Sequence, residues 1–149
     1  MILNLTQHVA TPAQREEGVL DITDTKVREL VVNLLTIDDL PDDGELRHRA
    51  EGLLAVCQSL GFEAAMIGGQ PALMGWVIYT LATGGVKPYY AFSKRVSKEE
   101  TADDGSVRKT QVFKHLGLIP ATGPLAEGYN DGWNRGDMMI EYEPPYSTG

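Results

Sequence analysis

Apolar and polar residues along this chain form short continuous runs separated by segments of helical spacing. The apolar runs at residues 2–5 and 62–67 predict two buried strands. Between them, apolar residues recur every three or four positions over residues 24–37 and 46–57, which predicts two amphipathic helices. Asp24 is available as the N-cap of the first helix, and Gly61 is predicted to end the second. The stretch through residues 11–12, which follows the first strand, is interpreted as a loop.

The second half of the chain contains a third predicted helix and a long predicted hairpin. Pro71 suits the first turn of a helix that runs on to Gly84. Two strands at residues 89–98 and 107–119 are joined around residues 103–105, where Asp-Gly is a strong turn signal. This order predicts an α/β fold, with a small Rossmann-like sheet, flanking helices and a long C-terminal β-hairpin.

Length and composition set the domain organisation that we expect. The chain has 149 residues, of which 42% are hydrophobic, enough for one core without disulfides or a structural metal. Residues 1–120 are predicted to form a Rossmann-like nucleotide-binding domain, and residues 121–149 a loop and tail that packs on it or on a second subunit. Cys57 is the one cysteine, which favours a reducing compartment. No segment has the roughly 20 apolar residues of a membrane helix, so we expect a soluble cytoplasmic protein without a membrane partner.

The charge distribution is more informative than the total. A net charge of −8 argues against binding of duplex nucleic acid, which depends on a basic surface. Residues 86–115 nevertheless carry seven basic and four acidic side chains, so the hairpin region is positive and the rest of the chain is acidic. Such a segment would attract a small anion. The alternative is that the charges only solvate an exposed hairpin.

The strongest chemical feature is the sequence Ala-Met-Ile-Gly-Gly-Gln-Pro-Ala-Leu-Met at residues 65–74. A strand that turns through Gly68 and Gly69 into a helix leaves backbone N–H groups that can bind a phosphate or a carboxylate. The spacing differs from Gly-x-Gly-x-x-Gly and there is no Walker lysine, so an ordinary dinucleotide or triphosphate site is not predicted. The alternative is a tight turn that only packs the helix on the strand.

The predicted site draws on three segments, which are the end of the first strand, the glycine turn and the hairpin. One further residue, Trp133, comes from the tail. His8, at the end of the first strand, is the candidate general acid or base, and Lys94 in the hairpin would stabilise charge. Three scattered histidines do not form a metal site, and we expect no metal or other cofactor. The predicted ligand-binding residues are Thr6, Gln7, Gly68, Gly69, Gln70, Ser93, Arg95, Lys114, His115 and Trp133.

The run AMIGGQPALMGWVIYTLA, at residues 65–82, resembles the glycine turn and following helix of CARF domains, the Rossmann-like sensors of CRISPR-associated defence. The polar end of the first strand, NLTQH, resembles the polar residue that ends the first strand of that family. Gln70 and Pro71 stand where the family usually has Thr-Lys. The resemblance implies that the turn contacts a cyclic oligonucleotide, and that the chain is a stand-alone binder or a ring nuclease of the kind that phages and plasmids carry.

Three hypotheses follow, and a homodimer is expected for the first two. In the first, the chain is a metal-independent ring nuclease in which a ribose 2′-hydroxyl attacks the phosphate. In the second, it is a non-catalytic sponge that sequesters the same nucleotide-derived signal. In the third, it is a protein-protein interaction module whose hairpin and tail bind another protein.

Overall fold

The computed structural model describes residues 1–123, which form alternating strands and helices. In chain order the elements are β1 Ile2–Leu5, α1 Pro12–Glu16, β2 Val19–Leu20, α2 Thr25–Leu35, α3 Asp43–Leu60, β3 Ala64–Ile67, α4 Pro71–Thr83, β4 Lys87–Thr101 and β5 Val107–Pro120. No helix within this part of the chain combines the length and the apolar character needed to cross a bilayer.

The five strands form one sheet in the order β2-β1-β3-β4-β5. The pairs β1–β2, β1–β3 and β3–β4 are parallel, whereas β5 runs antiparallel to β4. In the register of the central strands, Leu5 lies opposite Ile67, and Ile67 lies opposite Tyr90. The predicted α/β fold with a C-terminal hairpin is therefore confirmed.

One face of the sheet carries the main hydrophobic core. Leu3 and Leu5 of β1 and Ala65 and Ile67 of β3 point to this face, because alternate residues of a strand share a side. Helices α2, α3 and α4 cover it with a closely packed apolar surface. Their buried contributors include Val31, Leu35, Leu46, Ala50, Leu53, Val56, Leu73, Val77 and Leu81.

The predicted helix ends are found at the expected residues. Asp24 caps α2, and its carboxylate accepts from the N–H groups of Lys26 and Val27. Gly61 ends α3 in the left-handed region, with φ of 77°. Pro71 begins α4. These caps fix where each helix enters and leaves the sheet.

The opposite face is covered by α1, where a loop was expected. Pro12 occupies the start of this five-residue helix, and Thr11 and Gln14 form a reciprocal capping box. Ala10, Val19 and Met66 are buried beneath it in a second, smaller core. The loop prediction was wrong because α1 has no buried residue of its own, so apolar periodicity could not reveal it.

The hairpin extends far beyond the rest of the sheet. Only residues 87–90 of β4 pair with β3, so the remainder of β4 and its partner β5 form a two-stranded ribbon. A bulge between Phe92 and Ser93 shifts the register. The turn forms where it was predicted, and Gly105 adopts φ of 83°. Beyond β5, the predicted tail at 121–149 lies outside the described residues except for 121–123.

Candidate functional site

A crevice of about 450 Å³ opens at the carboxyl ends of β1 and β3. Its walls come from the loop after β1, from the start of α1, from the glycine turn and from β4. The lining residues are Thr6, Gln7, His8, Val9, Thr11, Gln14, Met66, Ile67, Gly68, Gly69, Tyr90 and Ala91. The structure therefore brings the predicted strand end and the predicted glycine turn together in one depression.

The position of this crevice follows from the strand order. From β1 the chain adds β2 on one side, and then β3 and β4 on the other, so the order reverses between β1 and β3. Ligands of open α/β sheets bind outside the carboxyl ends of the strands at such a switch point. The crevice occupies this place in the fold.

Asn4, a buried amide in the otherwise apolar strand β1, holds the loop after β1 in shape. Its Nδ2 donates to the carbonyl oxygen of His8 at 2.7 Å and to Oδ1 of Asp21 at 2.8 Å. Its Oδ1 accepts from the N–H of Thr6 at 3.0 Å and from the Thr6 hydroxyl at 2.7 Å. Both donors and both lone pairs of the amide are thus used. The backbone of Thr6 and His8 is fixed by a group only 2% exposed.

Asp21 extends the same network to α1. Its Oδ1 also accepts from the N–H of Ala10 at 3.0 Å, and its Oδ2 pairs with Nη2 of Arg15 at 3.2 Å. Burial opposes ionisation of the Asp21 carboxyl, but the hydrogen bonds from Asn4, Ala10 and Arg15 together outweigh it and lower its pKa. The loop and α1 are therefore joined through one ionised carboxylate.

The glycine turn forms the other wall. A β-carbon added at Gly68 would lie in ordinary contact with Cγ2 of Thr6, whereas one at Gly69 would face Met74 and Leu35 in the core. Gly68 is therefore the glycine whose missing side chain opens the crevice. Gln70, predicted as a ligand residue, is the N-cap of α4, makes no side-chain capping bond and does not line the crevice. The N-terminus of α4 carries a partial positive charge, and the Gln70 side chain does not cap it.

The charge of the lining differs from that of the protein. None of the twelve described lining residues is an aspartate or a glutamate, although the chain has 21 of them. His8 is the one titratable side chain of the loop after β1, and it is exposed. The Gln7 side chain is bound to a residue outside the crevice, because its Nε2 donates to Oγ1 of Thr36 at 3.0 Å. The crevice is thus a depression without acidic side chains in its lining, beside a helix N-terminus.

The predicted hairpin residues do not line the crevice. Ser93, Lys94 and Arg95 lie on β4 beyond its pairing with β3, and all three are exposed. The Arg95 guanidinium lies over the ring of Phe113, with 5.4 Å to the ring centroid. Lys94 lies directly opposite Lys114 in the ladder, an unfavourable pair of like charges. In this single chain the hairpin cations are therefore apart from the predicted strand end and glycine turn.

His115, predicted to contact ligand, is instead engaged with α1. Its Nε2 lies 2.6 Å from Oε1 of Glu17, and its side chain is only 5% exposed. Oε2 of the same glutamate accepts from the N–H of Leu118 at 3.2 Å. The second ring nitrogen, Nδ1, is buried without a hydrogen-bond partner in the described structure. This contact fastens β5 to the end of α1.

The predicted contact of Trp133 and the predicted absence of a metal both stay predictions. Trp133 lies outside the described residues. Within residues 1–123, no three or more His, Cys, Asp or Glu side chains form a group suited to a metal; the expectation of no metal stays a prediction.

Other residues of the crevice were not predicted, because they belong neither to the end of the first strand nor to the glycine turn. Thr11 and Gln14 come from the unpredicted helix α1, and Tyr90 comes from β4. Asn4 had a visible signal, because an amide inside a buried strand must find hydrogen-bond partners. Its partners Asp21 and His8 could not be read from spacing, since they lie 17 and four residues away.

The fold and this crevice define an α/β protein with a mainly parallel sheet and a site at its switch point. A family model described as Uncharacterized protein MJ1673 family matches residues 1–118, and the chain belongs to this family. No curated protein and no solved structure matches the chain. None of these findings bears on the resemblance to CARF domains.

Proposed function

We propose that this protein binds a small phosphorylated, nucleotide-derived ligand in the crevice between β1 and β3. The observation that carries the proposal is an acid-free crevice at the switch point of a chain whose net charge is −8. A site for a cation or an amine would need acidic groups, whereas an anion needs their absence and donors near the helix N-terminus.

The glycine turn supplies the phosphate end of the proposed site. The missing side chain at Gly68 lets an anion approach the backbone, and the α4 dipole favours negative charge there. The amide oxygen of Gln7, the hydroxyl hydrogen of Thr11 and the NH2 group of Gln14 are not used by the loop and capping hydrogen bonds described above. They suit the sugar and base of a nucleotide, which present donors and acceptors.

The size of the crevice narrows the proposal. Its volume of about 450 Å³ lies at the lower end of the range for small-molecule sites and suits one nucleotide unit. We propose, on the resemblance to CARF domains, that this unit belongs to a cyclic oligonucleotide signal of prokaryotic antiviral defence. The remainder of such a ring would extend out of the crevice, and the protein would act in the cytoplasm as a homodimer.

The test is a direct search for the ligand. Small molecules released by denaturing purified protein would be identified by mass spectrometry, and mononucleotides and cyclic oligonucleotides would then be titrated by calorimetry. Gly68→Val should lower affinity at least about tenfold, because the branched side chain would fill the space beside Thr6. Ala55→Val, on the exposed side of α3 and outside the crevice, is the matched control, since it adds the same branched side chain elsewhere. Equal affinities for the two variants would contradict the site.

Cleavage of the bound ligand is a second candidate, favoured by the exposed imidazole of His8 in the crevice wall. In a reaction without metal, a ribose 2′-hydroxyl attacks the adjacent phosphorus and the 5′-oxygen leaves, while His8 takes or gives a proton. His8→Ala should then slow single-turnover cleavage by about 10² to 10⁴-fold with affinity changed only a few-fold. His48→Ala, on the exposed side of α3, is the control. Intact ligand recovered from the wild type would identify a sponge.

An interaction module is the remaining alternative. The exposed apolar side chains of the ribbon, including Phe92, Val112 and Leu116, are the feature that suits it. In that case no small molecule from the tested panel would bind, and Gly68→Val would leave partner binding unchanged.

A further inference from the structure

A second depression lies far from the crevice, along the outer side of α4. Its larger part, of about 560 Å³, lies between the second half of α4 and the beginning of β4. A shallower part of about 300 Å³ continues toward the beginning of the helix, and both parts share Gly75 and Tyr79. We call this continuous depression the α4 groove. None of its lining residues lines the crevice.

The chemistry of α4 indicates that this groove is covered in the protein. The helix contains no charged residue from Pro71 to Thr83, and its inner side already packs in the core. Its outer side exposes Ala72, Gly75 and Ala82, and Tyr79 is 67% exposed. Helices that are apolar on all sides are buried, since an apolar outer surface in water is unfavourable.

The described chain ends at the edge of this groove. Thr122 lines the groove, and the N–H of Ala121 donates to the carbonyl oxygen of Pro88, another lining residue, at 2.9 Å. Gly123 follows with φ of 57°, a conformation that suits a change of chain direction. Residues 124–149 therefore start beside the groove, whatever their later course.

We propose that the apolar segment at residues 138–142 of the same chain occupies the α4 groove. This segment reads Met-Met-Ile-Glu-Tyr, so it offers three aliphatic side chains and one aromatic side chain to an apolar surface. Glu141 within the segment and Glu143 directly after it are opposite in charge to Lys87, the charged side chain among the described groove residues.

The connection between groove and segment favours binding within one chain. Fourteen residues lie between Gly123 and Met138, a connection that can span up to about 50 Å when extended. A tether of this length gives an effective concentration in the millimolar range. A second copy of the chain at micromolar concentration would compete poorly for the same surface.

A disulfide test in the full-length chain separates these occupants. Ala82→Cys is combined with Ile140→Cys, and the control combines Glu29→Cys on the exposed side of α2 with Ile140→Cys. Native Cys57 can stay, because it is fully buried and burial raises the pKa of its thiol to about 11. The groove pair should close within one chain at least about tenfold faster than the control pair in the same redox buffer. Equal rates would overturn the proposal, and so would a groove pair that closes only between chains, since a second copy would then cover the groove.

A labelling experiment tests the same contact without forming a bond. In full-length Ala82→Cys protein, Ile140→Asp should raise the rate of reaction with a thiol reagent at least about fivefold, because a carboxylate cannot be buried cheaply in an apolar groove. Ser147→Asp adds the same charge outside the segment and should leave the rate unchanged. Equal rates for the two aspartate variants would contradict the proposed occupant, and circular dichroism would verify that both variants keep the fold.

Discussion

The loop after β1 and the hairpin ribbon are both predicted from the sequence to bind ligand, but the structure shows that they differ in charge and in how their backbones are held. The loop carries no acidic side chain and is fixed by four hydrogen bonds of the buried Asn4 amide. The ribbon is charged and exposed, and its cations Lys94, Arg95 and Lys114 lie outside the crevice. The loop after β1 therefore has a backbone fixed by hydrogen bonds, whereas the ribbon carries exposed positive charge.

This difference shows why charge alone does not identify a site. Exposed ions are surrounded by water and contribute little to the stability of a geometry. A buried polar group must be satisfied, so it forces its neighbours into one arrangement. Substitutions of buried polar groups should therefore cost much more stability than substitutions of the exposed ribbon cations.

Asn4→Ala should have the largest effect. Its loss leaves the His8 carbonyl, Asp21 and Thr6 without their shared partner, and should lower the free energy of unfolding by about 3 kcal/mol. Urea denaturation would measure this change. Asn33→Ala, on the exposed side of α2, should change stability by less than about 0.5 kcal/mol. Similar costs for both would show that the loop does not depend on the buried amide.

The second-largest effect is expected at His115 of the ribbon, whose side chain is largely buried, as Asn4 is. His115→Ala removes a side chain that is only 5% exposed and leaves Glu17 without the ring nitrogen at 2.6 Å. We expect a loss of about 2 kcal/mol in unfolding experiments. Lys114→Ala, at the neighbouring exposed position, is the control and should be nearly neutral. A neutral His115→Ala would mean that α1 is held by its other contacts alone.

The pH dependence of stability tests the lowered pKa of Asp21. A lowered pKa in the folded state means that the carboxylate stabilises the protein above its ordinary value of 3.8, and that this contribution is lost as the pH falls through the folded value. Unfolding free energies between pH 2 and about 5 would show a steeper loss for wild type than for Asp21→Asn, because an amide does not titrate. Asp38→Asn, an exposed control, should keep the wild-type slope. Parallel curves for wild type and Asp21→Asn would contradict the network.

Lys94→Ala should have the smallest effect, and its sign is informative. Lys94 faces Lys114 across the strands, so its removal should stabilise the ribbon by about a few tenths of a kcal/mol at low salt. The gain should disappear in 1 M salt, where screening is strong. Thermal unfolding at the two salt concentrations measures this. A loss of stability would indicate that the Lys94 side chain makes a favourable contact.

Much of the fold was readable from the sequence because its signals are local. Apolar periodicity predicted β1, β3 and the three long helices, and Asp24 and Gly61 marked real helix ends. Helix α1 and strand β2 were not predicted, since five and two residues are too few for a period to appear.

The candidate site was only half predictable for a related reason. The loop after β1 and the glycine turn are each continuous in sequence, and strand order alone brings them together. The partners of Asn4 are set by tertiary contacts that spacing does not reveal, whereas the Thr-x-x-Gln spacing of Thr11 and Gln14 is a capping-box signal that the loop prediction did not use. Positive charge on the hairpin was visible, but its distance from the crevice depends on how far β4 extends beyond β3.

Among the strands of residues 1–123, β5 forms one edge of the sheet, and this has a consequence for the behaviour of the protein at high concentration. A long unpaired strand edge invites other chains to add to the sheet, and apolar side chains such as Phe113, 71% exposed, would strengthen such stacking. Lys109 and Lys114 along this strand repel a second ribbon, and the bulge at Phe92 and Ser93 disturbs the regular ladder. Lys109 and Lys114, which do not line the crevice, thus oppose edge-to-edge pairing of strands from different chains and the fibrous aggregation that it would cause.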